Sequence, residues 1–168
     1  MFRKPFLAAS LCAGLAMAIS PIGLADLYVA GGITSESAAA ARIELDTLIG
    51  LERLHPQLDL RLATGLLLLD GDENDENAAW LLTPMLRYTF AGKREVYLEG
   101  GIGAAVFLDA RIGSRDLSTA FQFQDRLALG GTLGPGELTL SVAHYSNAGI
   151  KDPNEGIEVL ALGYRLPL

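Results

Sequence analysis

Apolar residues alternate with polar or small ones along most of the chain after Asp26. An alternation with period two predicts β-strands, because successive side chains of a strand point to opposite faces. Eight stretches show it: 26–34, 41–51, 57–69, 79–91, 94–108, 117–133, 136–146 and 156–168. None of them approaches the roughly 20 consecutive apolar residues that a membrane helix requires. The pattern predicts an all-β fold of eight strands.

The connections between these stretches alternate in kind. Short or moderate turns follow the second, fourth and sixth strands, at 52–56, 92–93 and 134–135. The remaining connections are longer and polar, at 34–40, 70–78, 109–116 and 147–155. Short periplasmic turns opposite long extracellular loops are typical of antiparallel outer-membrane barrels.

The two faces of the strands favour a barrel in lipid over a soluble sandwich. In the fourth stretch Trp80, Leu82 and Leu86 share one side, while Thr83 and Arg87 share the other. A membrane barrel turns its apolar side toward lipid and fills its interior with polar and small residues. We expect the following charged residues to pair inside the barrel: Arg61, Arg87, Glu99, Arg126 and Arg165.

The N-terminus has the pattern of a secretory signal peptide. Arg3 and Lys4 precede an apolar segment that ends in small residues before Asp26. We therefore expect cleavage after Ala25, so that 1–25 is the signal peptide and 26–168 is one outer-membrane β-barrel domain. The predicted location is the outer membrane of a Gram-negative type of bacterium.

Composition narrows the classes of function. The net charge of −7 becomes −9 once Arg3 and Lys4 are removed, and so acidic a protein is unsuited to bind nucleic acid. The chain's one cysteine, Cys12, lies in the signal peptide, which excludes disulfides from the mature protein. The acidic stretch 70–76 has alternating carboxylates but lacks the glycine and glutamate of a calcium loop. A solvated extracellular loop is the better interpretation, and whether it binds a cation stays open.

Three polar residues interrupt the apolar face of the last two strands. His144 and Ser146 continue the side formed by Leu138, Leu140 and Val142, and Glu158 is in phase with the outward residues of the final strand. Ionisable groups that face lipid are costly, and such exceptions usually mark function.

The geometry of a hairpin brings these three residues together. His144 and Ser146 are two residues apart, about 6–7 Å between Cα atoms on a strand. If the hairpin is centred near residue 151, His144 lies opposite Glu158. The set would then be a nucleophile, a general base and an orienting acid. Alternatively, the three side chains simply meet water and headgroups near the membrane surface, and spacing alone does not choose between these interpretations.

The segment from His144 to Glu158 resembles a family signature. The run His-Tyr-Ser-Asn-Ala-Gly at 144–149, continuing through Asn154, Gly156 and Glu158, is similar to the motif of the PagL-type lipid A 3-O-deacylases. The resemblance implies an eight-stranded outer-membrane serine esterase with Ser146, His144 and Glu158 as its triad. It also implies an oxyanion hole that involves Asn154 and the backbone amide of Gly149, with Asn147 as a further motif residue.

The implied reaction removes the 3-O-linked hydroxyacyl chain of lipid A, and it needs neither a metal nor a cofactor. The partners would be lipid A or lipopolysaccharide and the outer membrane. The sequence leaves the oligomeric state open, a homodimer included. Two other functions compete: a non-enzymatic barrel that serves adhesion or envelope stability, and an outer-membrane phospholipase.

A second acid could serve His144. If residues 133 and 136 pair across the turn at 134–135, Asp125 lies opposite His144 and Phe123 lies opposite Ser146. The pairing argument does not choose between the two acids, whereas the family resemblance favours Glu158. We therefore expect Glu158 in the triad and Asp125 in a supporting or structural role.

Overall fold

The computed structural model describes residues 25–70, 76–92 and 95–168. The predicted signal peptide lies outside the described residues except for Ala25, and it stays a prediction. The same holds for 71–75 of the acidic stretch.

Eight long strands form a closed antiparallel barrel, which confirms the predicted fold class. The barrel order is β1-β10-β9-β8-β5-β4-β3-β2, and β1 closes the ring by pairing with both β2 and β10. The long strands are β1 (Asp26–Thr34), β2 (Ala39–Gly50), β3 (Leu58–Asp70), β4 (Asn77–Thr89), β5 (Tyr97–Phe107), β8 (Phe121–Leu133), β9 (Gly136–Ser146) and β10 (Ile157–Leu166). A small hairpin, β6 (Arg111–Ile112) and β7 (Arg115–Asp116), lies in the connection between β5 and β8.

Three connections differ from the sequence-based expectation. The turn predicted at 92–93 is a connection of residues 90–96, because β4 ends at Thr89 and β5 begins at Tyr97. Strand β2 begins at Ala39, so the first loop contains only residues 35–38 and is not one of the long ones. Strand β8 begins at Phe121 instead of residue 117, because the preceding segment belongs to the loop that carries β6 and β7. Loops 35–38, 108–120 and 147–156 share one end of the barrel, called here the loop end; the opposite end is the turn end.

The outer surface of the barrel is apolar. Trp80, Leu82 and Leu86 are exposed, whereas Thr83 and Arg87 of the same strand are buried, as the alternation predicted. An apolar outer band around a polar interior is the arrangement of a barrel surrounded by lipid. Within the described residues, no helix is long and apolar enough to cross a membrane.

Paired charges fill the interior from its middle to the turn end. Arg61 donates to Asp46 at 2.6 Å and to Glu99 at 3.1 Å, and Arg87 binds Glu99 and Glu137 at 2.7 and 2.8 Å. The five charges predicted to lie inside, at Arg61, Arg87, Glu99, Arg126 and Arg165, are all buried and ion-paired. Each buried charge has an opposite charge beside it, which a low-dielectric interior demands.

The interior at the loop end is apolar instead. Phe107 and Tyr145 pack edge to face with ring centroids 5.5 Å apart. Ile112 of β6 and Leu117, both almost completely buried, join the same cluster from the loop above. The loop containing β6 and β7 thereby covers this end of the barrel, and the catalytic candidates lie just outside this apolar cover.

Candidate active site

The register of three neighbouring strands collects the predicted site residues. Glu158 of β10 lies opposite His144 of β9, and Asp125 of β8 lies opposite the same histidine on the other side. Phe123 lies opposite Ser146, again as pairing across the turn at 134–135 predicted. Ala143 and Tyr145 are buried inside the barrel, so His144 and Ser146 face outward at the loop end.

Of the two carboxylates, the one that contacts His144 is Glu158. His144 Nδ1 is 2.9 Å from Glu158 Oε1, and the two side chains are 42% and 50% exposed. Asp125 makes no side-chain hydrogen bond within the described part of the chain. A carboxylate at Nδ1 fixes the proton there, which leaves Nε2 as the basic nitrogen.

Gly156 holds the imidazole from the loop side. A Cβ atom at this position would lie 2.8 Å from His144 Cε1 and 3.5 Å from Nε2, and the residue has a φ of 62°. Both the close approach and the left-handed backbone therefore require glycine. In the sequence, Gly156 was one of the motif residues without an assigned role. Its lack of a side chain leaves room for the imidazole ring of His144.

Ser146 lies on the same outward face, two residues beyond His144, and is partly exposed. Among the hydrogen bonds of the described residues, none joins its hydroxyl to the imidazole. Catalytic hydrogen bonds are often long in unliganded enzymes and shorten only when substrate binds. Strands β9 and β10 thus present a hydroxyl, an imidazole and a carboxylate on the same outward face.

The loop after β9 is organised by Asn147, which is completely buried. Its side-chain amide donates to the carbonyl oxygens of Leu117 and Lys151 at 3.0 and 2.8 Å. Its Oδ1 accepts from the backbone N–H of Gly149 at 2.8 Å, so that this amide is already engaged. Asn147 thus ties the loop 147–156 to the loop that covers the barrel.

Asn154 has its amide group oriented by a backbone contact. Its Oδ1 accepts from the N–H of Asn147 at 2.9 Å, so the side-chain NH₂ group must be on the other side. Within the described residues that NH₂ group makes no hydrogen bond. Asn154 is therefore a donor held in place with its two protons available.

An apolar groove runs down the outer surface from this cluster. Its volume is about 440 Å³, and its lining includes Asp125 and His144 at one end. Gly100, which lies between the outward-facing Leu98 and Ile102, has no side chain to fill it. A Cβ atom there would lie 3.1 Å from Leu127 Cδ2, so the absence of a side chain at Gly100 keeps this part of the groove open.

Two loop residues that sequence reasoning missed complete the surroundings. Ser35 contacts Glu158 through a hydrogen bond from the Glu158 N–H to Ser35 Oγ at 3.3 Å. Glu36 accepts from Ser114 at 2.5 Å and from Arg115 at 2.7 Å. The Ser114 hydroxyl, followed by Arg115, holds the pKa of Glu36 below its usual value of 4.5. In the described residues, no group of three or more His, Cys, Asp or Glu side chains is placed to hold a metal.

Comparisons with known proteins converge on one family. Residues 42–167 match the family model described as lipid A 3-O-deacylase (PagL). The chain is 37% identical to the lipid A deacylase PagL of Pseudomonas aeruginosa over 58% of each chain. It is 43% identical to the protein of the same name from Bordetella bronchiseptica, over 48% of this chain and 45% of the relative. These matches thus span about half the length of each curated relative.

A solved structure agrees over nearly the whole barrel. The crystal structure of the outer membrane enzyme PagL superimposes with a TM-score of 0.74 at 29% identity. The match covers 85% of this chain and 99% of that one.

Proposed function

The chain belongs to the lipid A 3-O-deacylase (PagL) family, and from that premise we propose that it is an outer-membrane serine esterase. Its substrate would be lipid A, from which it removes the 3-O-linked hydroxyacyl chain. The observation that carries the proposal is the 2.9 Å contact between His144 Nδ1 and Glu158 Oε1 on the lipid-facing surface, with Ser146 on the same face. Ionisable groups persist at such a place when they serve a reaction.

The location of the three residues suits a lipid substrate. Lipid A resides in the outer leaflet of the outer membrane, beside the extracellular end of a barrel. We assign the loop end to the extracellular side, because the start of β1, the end of β10 and the two-residue turn at 134–135 are at the other end. The ester then reaches Ser146 without leaving the membrane, and the apolar groove beside His144 accepts an acyl chain.

The reaction would proceed in two acyl-transfer steps. Ser146 Oγ attacks the ester carbonyl carbon while His144 Nε2 takes the hydroxyl proton, and Glu158 stabilises the imidazolium through Nδ1. The Asn154 NH₂ group stabilises the negative charge that develops on the carbonyl oxygen. Gly149 could join it as a second donor once its N–H releases Asn147 Oδ1.

The intermediate then collapses. The ester bond to the sugar breaks, the 3-oxygen of the glucosamine takes the proton from His144, and the acyl group stays on Ser146. A water molecule, deprotonated by His144, attacks the acyl-enzyme; the bond between the acyl carbon and Ser146 Oγ breaks, His144 returns the proton to Oγ, and the hydroxy fatty acid is released. Every step uses side chains of this protein and water.

Mass spectrometry of lipid A from cells that express the protein tests the proposal. Wild-type protein should remove one hydroxyacyl group from the 3-position, and Ser146→Ala should remove none, because loss of a nucleophile typically costs many orders of magnitude in rate. The matched control is Ser141→Ala, on the same strand but inside the barrel, where the hydroxyl has no hydrogen bond within the described residues.

Three results would contradict the proposal. Unchanged lipid A in cells with correctly assembled wild-type protein would favour a non-enzymatic barrel. Fatty acid lost from phospholipids instead would indicate a phospholipase. Activity of Ser146→Ala within a few-fold of wild type would exclude the serine mechanism.

A further inference from the structure

We infer that Ser35 is a positioning residue for Glu158. The set of interacting side chains would then have four members, Ser35 and the three residues of the triad. The inference rests on the proposed function, because it assigns Glu158 as the acid that orients His144. Ser35 lies in the loop between β1 and β2, and it is 123 residues away from Glu158 in sequence.

The backbone explains why a serine stands next to the acid. The ladder between β1 and β10 pairs Thr34 with Val159, and it ends one step later with the Ser35 N–H donating to the Glu158 carbonyl oxygen at 2.9 Å. Beyond this point the chain turns, because the Thr34 N–H donates to the Ala38 carbonyl oxygen at 2.9 Å. The Ser35 hydroxyl oxygen accepts from the Glu158 N–H, where a regular ladder would offer a carbonyl oxygen.

The remaining proton of the hydroxyl gives Ser35 a second function. A hydroxyl oxygen accepts through its lone pairs and donates one proton. The hydrogen bond from the Glu158 N–H places the Ser35 hydroxyl beside residue 158, and the hydroxyl keeps its proton to donate to the Glu158 carboxylate. The carboxylate would then be held from two sides, by Ser35 and by His144 Nδ1 at 2.9 Å.

Such support matters because Glu158 is half exposed. An exposed glutamate side chain has several rotamers of similar energy, and one contact with an imidazole restricts them only in part. A donor that is fixed by its own backbone bond keeps the carboxylate where it meets His144. Ser35 would therefore act on turnover and leave substrate binding unchanged.

The test measures kcat and KM on lipid A in detergent micelles for the wild-type barrel and for Ser35→Ala, Ser35→Thr and Ser37→Ala. Charge-assisted hydrogen bonds of this kind are strong enough that Ser35→Ala should lower kcat about ten-fold while KM stays within two-fold. Ser35→Thr keeps the hydroxyl and should restore kcat to within about three-fold of wild type. Ser37→Ala is the matched control, because it removes a hydroxyl from the same loop. The hydroxyl of Ser37 makes no hydrogen bond within the described residues.

Several outcomes would overturn the assignment. A kcat of Ser35→Ala within two-fold of wild type at equal folded yield would overturn it. So would a loss confined to KM or shared equally by Ser37→Ala, since either indicates only a structural role in the loop. Ser146→Ala is measured alongside. If Ser146→Ala is inactive and Ser35→Ala is fully active, only the assignment of Ser35 fails and the proposed triad stands. If Ser146→Ala is active, the triad and the assignment of Ser35 fail together.

Discussion

At the scale of single residues, the environment of His144 decides which acid can serve it. The register places a carboxylate on each neighbouring strand, Glu158 on β10 and Asp125 on β8. Only the glutamate, which has one more methylene than aspartate, meets the ring at hydrogen-bond distance in this structure. Asp125 lines the groove beside the ring instead, and within the described residues its side chain makes no hydrogen bond to the imidazole.

We predict that Glu158→Gln is far more damaging than Asp125→Asn. An amide at residue 158 cannot stabilise the imidazolium and favours the wrong tautomer, so kcat should fall about 100-fold or more. Asp125→Asn should lower kcat less than ten-fold. Turnover of detergent-solubilised lipid A at equal amounts of folded barrel measures both. A larger loss in the asparagine variant would assign the triad acid to Asp125 instead.

The residues of the site were predictable to different degrees. Alternation along β9 and β10 places His144, Ser146 and Glu158 on one face, and counting through a two-residue turn places Asp125 opposite His144. Both arguments use contacts between strands that are adjacent in sequence. Ser35 was missed because its contact depends on the pairing of the first strand with the last, for which the sequence carries no local signal.

At the scale of elements, three described loops at the loop end form one connected cover. Glu36 from the first loop binds Ser114 and Arg115 of the β6–β7 hairpin, and Glu155 from the last loop accepts from the Asp116 N–H at 2.5 Å. The hairpin escaped sequence-based prediction because strands of two residues show no periodicity. The contacts join three loops that are far apart in sequence.

We predict that the hairpin loosens as the pH falls. The pKa of Glu36 is lowered in the folded protein, so its contacts contribute fully above the unfolded value of 4.5 and are lost as the pH falls through the folded pKa. Hydrogen exchange of residues 111–116, corrected for the intrinsic rate, should show less protection near pH 3 than at pH 7. The barrel strands should stay protected throughout, because exposed ion pairs contribute little to global stability.

The variant Glu36→Gln should show weak protection at residues 111–116 already at pH 7 and little further change on acidification. Glu76→Gln, which removes the same charge from another loop, is the control and should behave as wild type. Equal pH dependence in Glu36→Gln and wild type would show that another group controls the hairpin.

At the scale of the whole molecule, the buried ion pairs that stabilise the barrel are separated in space from the proposed catalytic residues. Buried ion pairs fill the interior from its middle to the turn end, whereas an apolar cluster fills the loop end beneath the site. The sequence predicted which strands carry inward charges, since alternation assigns each residue to a face. It could not predict the partners, because Arg61, Arg87 and Arg165 each contact acids on more than one strand and the choice depends on how the closed barrel staggers them.

The last prediction uses this separation. Glu99 is completely buried and accepts from Arg61 at 3.1 Å and from Arg87 at 2.7 Å. The change Glu99→Gln leaves both guanidinium groups without this negative charge, and breaking a buried pair costs about 3–5 kcal/mol. Denaturant unfolding in detergent, followed by Trp80 fluorescence, should show this loss of stability. The exposed Glu52→Gln is its control and should unfold like wild type. The specific activity of the folded Glu99→Gln fraction should match wild type, because Glu99 lies near the turn end of β5 and the proposed triad lies at the loop end.

A stability loss below 1 kcal/mol would mean that Glu44, Asp46 and Glu137 suffice to neutralise the two arginines. Reduced specific activity at full folding would mean that the interior couples to the site.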